Sequence, residues 1–196
     1  MLKSLILASA AFFVATTPAF ASGSDGAVSM EVASTLGPNK FVWAETAAAD
    51  PVSIVISIAD QRAYVYRGDT MVAATSVSTG KDGKETPTGT YTILQKKEDH
   101  KSNLYNAAPM PFMQRLTWDG IAIHAGRNPG FPAAHGCIRV PTAFAKKLFE
   151  VTDLGTTVTV IDESVDPTLP PPQTYAALDS GAVASANAAQ LSSIRR

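Results

Sequence analysis

A series of short apolar segments separated by turn residues runs through the middle of this chain, and it constrains the fold more than any other feature. The segments are short for helices and are rich in β-branched or aromatic residues, which favour strands. They cover residues 52–58, 63–66, 71–78, 90–95, 112–118, 121–124 and 156–161. Asp119 and Gly120 separate two of them and predict a tight two-residue hairpin. Because many neighbouring segments are joined by only a few turn residues, we predict a mainly β fold with an antiparallel sheet or sandwich.

One helix is predicted near the end of this region. Pro141 suits a first helical turn, where the N–H that proline lacks would have no partner. Phe144, Leu148 and Val151 then fall at helical spacing on one face, and Gly155 follows as a stop signal. The helix is therefore expected to begin just after Cys137, on the loop that carries this cysteine.

The first residues of the sequence predict a signal for export. Lys3 is followed by an apolar run over 5–14, about the length of a signal-peptide core, and the Ala-Phe-Ala motif at 19–21 fits the small-residue cleavage pattern. We therefore predict a signal peptide over 1–21 and a protein exported to the periplasm or the cell-wall space. The alternative is an N-terminal membrane anchor that is not removed. No later run has the length of a membrane span, so no stable membrane anchor is expected after processing.

Composition sets the expected limits of the folded domain and excludes one class of function. Residues 22–50 are rich in Ala, Ser and Gly, which predicts a linker with one short ordered piece around 40–43. Residues 163–196 are Pro-rich and then rich in Ala and Ser, which predicts a disordered tail. The folded domain is thus expected over 51–162. A formal net charge of −1 argues against nucleic-acid binding, because neutralising phosphates requires a basic surface.

Cys137 is the single cysteine of the chain, so no disulfide can form within it. In an oxidising compartment a lone thiol is a liability unless it reacts or is buried. His124, at the end of a predicted strand, and His135 are near it in sequence, and an imidazole can activate a thiol as a nucleophile. Two other interpretations stay open. Cys137 could be a small buried hydrophobic residue, or His124, His135 and Cys137 could bind zinc together with a water.

The sequence around these residues resembles a known family. His124-Ala125-Gly126 followed by His135-Gly136-Cys137-Ile138-Arg139-Val140 is similar to the signature of the L,D-transpeptidase catalytic domain, also called the YkuD domain. Two further segments resemble that family's upstream loop and closing strand, namely Thr86-Pro87-Thr88-Gly89-Thr90-Tyr91 and Leu154-Gly155-Thr156-Thr157-Val158. The resemblance covers about 51–162.

The resemblance implies a β-sandwich with one short helix after the cysteine loop, and an exported enzyme of cell-wall biogenesis and cell shape. The implied reaction is L,D-transpeptidation of peptidoglycan stem peptides, which forms 3–3 crosslinks through a cysteine acyl-enzyme without a metal or other cofactor. The resemblance implies that Cys137 is the nucleophile and that His124 is the general base, oriented by the Ala125 carbonyl. It implies that the amides of Gly136 and Cys137 form the oxyanion hole. It also implies that His135 shapes the site and that Arg139 binds a substrate carboxylate. Protein partners are not implied.

One position departs from the family pattern. Ala134 stands where the family usually has Ser or Thr before the second histidine. We interpret this as variation, because His124 and Cys137 are both present. Three alternatives stay open: an L,D-carboxypeptidase or endopeptidase of the same fold, a zinc murein peptidase using His124, His135 and Cys137, and a non-catalytic peptidoglycan-binding module.

Overall fold

The structure is a computed structural model that describes residues 26–103 and 106–165. The predicted signal peptide, 1–21, and the predicted tail from residue 166 onward lie outside the described residues. Within the described residues, no helix is long and apolar enough to cross a membrane.

Short strands make up most of the regular structure. In the described part of the chain the strands are β1 (Phe41–Trp43), β2 (Val52–Ser57), β3 (Arg62–Arg67), β4 (Thr70–Ser76), β5 (Gly89–Thr92), β6 (Gln95–Lys97), β7 (Met113–Arg115), β8 (Ala122–Ala125), β9 (Ile138–Val140) and β10 (Thr157–Ile161). The helices are α1 (Met30–Ser34) and α2 (Thr142–Val151). The prediction of a mainly β fold is confirmed.

The strands form two sheets. The larger sheet has the order β1-β4-β3-β2-β10-β5, and the smaller one has the order β6-β7-β8-β9. Neighbouring strands run antiparallel, except that β10 pairs parallel with β2 and β8 pairs parallel with β9. The predicted antiparallel character therefore holds for most pairs, and the β8–β9 pair has the parallel geometry that matters for the site.

Both faces of the larger sheet are buried, and β2 shows how. Successive side chains of a strand point to opposite faces. Ile54 and Ile56 enter the main core, which also contains Ile138 of the smaller sheet and Phe144 of α2. Val55 packs on the opposite face, in a second cluster beneath α1. The larger sheet is thus a central layer, with the smaller sheet and α2 on one side and α1 on the other.

The predicted helix is confirmed as α2, which begins directly after Pro141 and buries Phe144 and Leu148. The chain between Cys137 and α2 differs from the expected loop, because it forms β9. Three residues are too few to show a strand period, and β9 is extended because it pairs with β8 and with Ser78.

The segment predicted as a linker is partly ordered. The ordered piece expected around 40–43 is β1, which pairs with β4 at the edge of the larger sheet. Phe41 and Trp43 each place a ring at an edge-on angle to Phe144, with centroid separations of 5.7 and 5.6 Å. These aromatic side chains bury enough apolar surface to hold the strand on the domain.

The linker prediction also does not hold for α1. Arg62 of β3 donates hydrogen bonds to carbonyls at and just beyond the end of this helix, those of Ala33, Ser34 and Leu36. Carbonyls at a helix C-terminus have no partner within the helix, so the guanidinium satisfies them. This anchor lies far from α1 in sequence, and local composition does not reveal it.

The predicted tail begins too early. The Ser57 hydroxyl donates to the Glu163 carbonyl at 2.7 Å, and the Val165 N–H donates to Asp60 Oδ2 at 3.0 Å. Val165 is also buried in the second cluster. Residues 163–165 are therefore part of the ordered domain, because the turn after β2 provides their hydrogen-bond partners.

The predicted strand 90–95 is two strands, β5 and β6, in different sheets. The Ile93 N–H donates to the Thr156 carbonyl, and the Leu94 N–H donates to the Arg115 carbonyl. The chain thus changes sheets between two adjacent residues. An apolar pattern in one segment does not show such a crossing.

The predicted two-residue hairpin at Asp119 and Gly120 is a wider turn. The N–H groups of Leu116 and Thr117 both donate to the Ile121 carbonyl, and β7 and β8 are separated by the whole of this turn. Gly120 has a φ of 119°, a conformation that suits glycine because it has no Cβ. The wider turn brings the Gly120 carbonyl to the candidate site.

Candidate active site

The parallel pairing of β8 and β9 sets the geometry of the site. Ile123 lies opposite Ile138, and His124 lies opposite Arg139. Because side chains alternate along a strand, Ile123 and Ile138 enter the main core, while His124 and Arg139 share the other face. Cys137 directly precedes Ile138, so its side chain falls on the face of His124. The pair thus brings the predicted base and the predicted nucleophile to one surface.

His124 is buried and held in one orientation. Its Nδ1 lies 2.8 Å from the carbonyl oxygen of Ala125. A carbonyl only accepts hydrogen bonds, so Nδ1 carries the proton and Nε2 keeps its lone pair. Burial lowers the pKa of His124 to about 4, the charges of Arg139 and His100 act in the same direction, and the hydrogen bond to Ala125 opposes them. The ring is therefore neutral at neutral pH and able to accept a proton.

The Cys137 thiol is half-buried beside an apolar cluster that includes Met113. Its Sγ donates to the Gly120 carbonyl at 3.3 Å. Burial raises the pKa of Cys137, against the smaller effects of a backbone hydrogen bond from Ala122 and of the charge of Arg139. Because burial penalises charged forms, the resting pair is a neutral thiol and a neutral imidazole rather than an ion pair.

Both side chains line a cleft of about 340 Å³. Arg127, the exposed His135 and Arg139 line it as well, and no carboxylate stands among its described lining residues. A cleft with arginines and no acidic side chain attracts anionic substrates. Of the residues predicted from the sequence, His124, His135, Cys137 and Arg139 therefore meet in one place.

Arg139 is fixed at both its backbone and its side chain. Its N–H and carbonyl form two reciprocal hydrogen bonds with Ser78, each 3.0 Å long. Its aliphatic stem packs on Gly126, where an added Cβ would lie 3.2 Å from Arg139 Cγ and Cδ. The glycine after Ala125 thus gives the arginine room beside His124.

The loop between His124 and Cys137 is held by polar groups that the sequence analysis did not single out. The contacts are Ser78 Oγ to the Phe131 carbonyl (2.8 Å), Asn128 Nδ2 to Ser76 Oγ (3.0 Å), and the Ala134 N–H to the Thr79 carbonyl (2.9 Å). Ser76, Ser78 and Thr79 are all buried. Polar residues at the end of an apolar strand were the available signal, but their partners are distant in sequence.

Ala134 and Gly136 occupy tight positions. Ala134 is fully buried, and a Cβ at Gly136 would lie 2.8 Å from Ile121 Cδ1. Gly136 also has a φ of 97°, which other residues rarely adopt. Gly136 is not among the residues that line the cleft, and its carbonyl accepts a hydrogen bond from the Thr86 hydroxyl at 2.8 Å.

Two further clefts adjoin the first. One, of about 780 Å³, shares Pro109, Gly126 and Arg127 with it. A smaller one, of about 130 Å³, adjoins on the side of Gly120 and contains the exposed Trp118. The candidate site therefore continues into open space at its Arg127 border and at its Gly120 border.

The zinc alternative lacks a suitable cluster of ligands. Across 26–103 and 106–165, no three His, Cys, Asp or Glu side chains are placed to hold a metal ion. His124 and Cys137 line the same cleft as His135, and each of the two is hydrogen-bonded to a backbone carbonyl.

Comparison with known proteins identifies the family. The L,D-transpeptidase catalytic domain (YkuD) matches residues 51–160. The chain is 28% identical over 144 residues to the Escherichia coli K12 protein described as "Probable L,D-transpeptidase YbiS", a match that covers 60% of this chain and 47% of the relative. A Salmonella typhimurium protein described as "Probable L,D-transpeptidase ErfK/SrfK" is 27% identical over 138 residues, covering 57% of this chain and 45% of the relative.

Solved structures agree with this assignment. An L,D-transpeptidase from Stackebrandtia nassauensis superposes with a TM-score of 0.54 at 25% identity, covering 60% of this chain and 58% of that chain. The L,D-transpeptidase LdtMt1, solved in complex with imipenem, gives a TM-score of 0.53 at 21% identity, covering 57% and 59%. The latter likeness shows the fold alone.

This chain therefore belongs to the L,D-transpeptidase catalytic-domain family, as its motifs predicted. Its matched part spans about half the length of the curated relatives. The region matched by the family includes both His124 and Cys137.

Proposed function

We propose that this protein is an exported L,D-transpeptidase that forms 3–3 crosslinks between peptidoglycan stem peptides through an acyl-enzyme on Cys137. The observation that carries the proposal is the placement of His124 and Cys137 on one face of the β8–β9 pair, with His124 Nδ1 engaged by the Ala125 carbonyl. This arrangement directs Nε2 to proton transfer and leaves the thiol at a cleft that a peptide can enter.

The first half-reaction acylates the thiol. As Sγ attacks the carbonyl carbon of the third stem residue, His124 Nε2 takes the thiol proton. Negative charge develops on the carbonyl oxygen, where the amides of Gly136 and Cys137 act as donors. When the C–N bond breaks, His124 gives its proton to the leaving amine. The terminal D-Ala departs and a thioester remains on Cys137.

The second half-reaction transfers the acyl group. The side-chain amine of the third residue in a neighbouring stem attacks the thioester carbon and loses a proton to His124. The C–S bond breaks, the sulfur recovers the proton, and an amide crosslink is released. The cycle consists of proton transfers and acyl transfers, so it requires no cofactor. If water replaces the amine, the same site acts as an L,D-carboxypeptidase.

The cleft suits such a substrate pair. Arg139 can pair with a stem carboxylate through two parallel hydrogen bonds, which is the contact that arginine favours. Arg127, at the border with the 780 Å³ cleft, provides a second positive charge. A donor stem and an acceptor stem can thus approach Cys137 from different sides, and the exposed His135 shapes the opening between them.

Mass analysis of products from purified disaccharide tetrapeptides tests the proposal. Wild type is expected to give crosslinked dimers that have lost one D-Ala. Cys137→Ser should give none, because a hydroxyl is far less acidic than a thiol. His124→Gln should be severely impaired, and His100→Gln, the matched histidine control outside the 340 Å³ cleft, should keep near wild-type turnover.

Three outcomes would contradict parts of the proposal. Tripeptide products without dimers would show hydrolysis instead of transpeptidation. Full turnover by Cys137→Ser would exclude the thiol mechanism. The third outcome concerns a double variant of His124 and Cys137. If its fold-loss in turnover equals the product of the fold-losses of the two single variants, the two residues act independently, which contradicts a joint acylation step. In addition, imipenem should form a covalent adduct on wild type and none on Cys137→Ser.

Export is the remaining part of the proposal, and the N-terminal motif at 19–21 supports it. N-terminal sequencing of the protein recovered from outside the cytoplasm should begin at Ser22. A mature protein that begins at Met1 would contradict signal-peptide cleavage.

A further inference from the structure

We propose that Thr86 is a positioning residue that sets the direction of the Cys137 amide by fixing the Gly136 carbonyl. The inference rests on the proposed function, because it concerns the donors that stabilise the oxyanion. Thr86 belongs to the Thr-Pro-Thr-Gly motif, which lies far from Cys137 in sequence and does not line the cleft.

The Thr86 hydroxyl is buried and held from two sides. It donates to the Gly136 carbonyl at 2.8 Å and accepts from the Gly80 N–H at 2.9 Å. Thr86 itself is 3% exposed. A hydroxyl whose proton and lone pair are both engaged cannot rotate freely, so it fixes the position of the carbonyl it binds.

Fixing this carbonyl also fixes the next amide. The peptide unit between Gly136 and Cys137 is planar and trans, so its carbonyl and its N–H point in opposite directions. With the carbonyl directed at buried Thr86, the Cys137 N–H is directed away from Thr86. Gly136 has a φ of 97°, so this residue can turn its peptide in a way that an L side chain would resist.

The turn that carries Thr86 is itself tightly packed. A Cβ at Gly80 would lie 1.9 Å from the Lys84 carbonyl oxygen and 2.7 Å from the Thr86 nitrogen. Backbone therefore packs directly on backbone, and the Lys84 N–H closes the turn by donating to the Lys81 carbonyl at 2.8 Å. Gly80 is further tied to Ala134 through an isolated β-bridge. This turn thus connects Thr86 to Ala134 and to Gly136, the residues on either side of His135.

Two reactions of the same thiol separate this role from a general structural one. Acylation by imipenem passes through a tetrahedral oxyanion, whereas alkylation by iodoacetamide displaces iodide and forms none. If the Cys137 N–H is no longer held in its direction, acylation should therefore become slower while alkylation stays unchanged. The comparison uses Thr86→Val, which keeps the shape and removes the hydroxyl, and Thr86→Ser, which keeps the hydroxyl.

Thr152→Val is the matched control. Thr152 is also buried, and its hydroxyl donates to a backbone carbonyl, that of Leu148, at 2.8 Å. It lies at the end of α2 and does not line the cleft. We expect Thr86→Val to lower the acylation rate about tenfold to a hundredfold, with alkylation within about twofold of wild type. Thr86→Ser and Thr152→Val should retain both rates.

Several results would overturn the inference. One is an acylation rate unchanged in Thr86→Val, another is an equal slowing of both reactions, and a third is a Thr86→Ser variant as impaired as Thr86→Val. If Thr86→Val does not fold, Thr86→Ala provides the same comparison of acylation rate with alkylation rate. This variant places no methyl group against the Gly80 N–H. A wild type that neither forms the adduct nor turns over stem peptides would contradict the proposed function itself, which distinguishes the two failures.

Discussion

His124 and Ala125 are neighbours in β8, and the imidazole of the first turns to the backbone carbonyl of the second, with 2.8 Å between Nδ1 and that oxygen. The Ala125 side chain points the other way, into the main core. The strand that carries the proposed base therefore also supplies the acceptor that orients it. Because the acceptor is a main-chain group, no substitution at residue 125 removes it.

The burial of His124 predicts the acid limb of the pH profile. Burial lowers the pKa of His124 to about 4, below the ordinary value of 6.5. Under the proposed mechanism, activity is lost when the ring is protonated, because Nε2 can then no longer accept the thiol proton. We expect kcat/KM for release of D-Ala to fall with a midpoint near pH 4. A midpoint near pH 6.5 would show that His124 is more solvated than the structure describes.

The same pKa difference links the His124 proton to folding. The unfolded chain binds this proton with a pKa of 6.5 and the folded chain with a pKa of about 4, so the unfolded state carries more protons between these values. The contribution of neutral, buried His124 to stability is therefore fully present above about pH 6.5. The free energy of unfolding falls by about 3 kcal/mol as the pH is lowered from there towards 4. Urea unfolding of wild type and His124→Gln at pH 7 and pH 4 measures it.

In that comparison, His124→Gln should lose less stability than wild type between the two pH values, because the variant has no imidazole to charge. Thr152→Val removes a buried hydroxyl that does not titrate, so it is the control and should follow wild type. Equal pH dependence in all three proteins would mean that His124 does not carry the effect.

The raised pKa of Cys137 predicts how the protein without substrate reacts with alkylating agents. Burial favours the neutral thiol, so little thiolate is present at neutral pH. We expect the rate of iodoacetamide alkylation to rise with a midpoint above the value of about 8.5 that is ordinary for a cysteine. Stopped assays with mass detection from pH 6 to pH 10.5 give this midpoint. A midpoint well below 8.5 would indicate a thiolate–imidazolium pair instead.

The packing of β1 predicts that the segment before residue 51 stabilises the domain. Trp43→Ala removes a ring that packs on Phe144, and we expect a loss of about 2–3 kcal/mol in the free energy of unfolding. Trp118 is 72% exposed, so Trp118→Ala is a matched control with an expected change within about 0.5 kcal/mol. Equal effects of the two substitutions in denaturant unfolding would show that β1 contributes no packing.

Local pattern predicted those elements whose information lies within a few residues. The stripe of Phe144 and Leu148 gave α2, because a helix has a period that its own residues display. The segment 52–58 predicted β2 through its short length and its β-branched composition. Elements of three residues such as β1, β6 and β9 show no period, and they are extended only because a distant strand pairs with them.

The sequence by itself determined the mainly β class, the family, and the choice of His124 and Cys137 as candidate site residues. This was possible because residue types and short motifs indicate chemistry without knowledge of the fold. Only the tertiary structure decided that β8 and β9 run parallel, which places these two side chains on one face. Only the tertiary structure brings the Thr86 hydroxyl to the Gly136 carbonyl, which is 50 residues away in the sequence. Hydrogen bonds of this range depend on which buried groups remain without partners after packing, and a linear sequence does not contain that information.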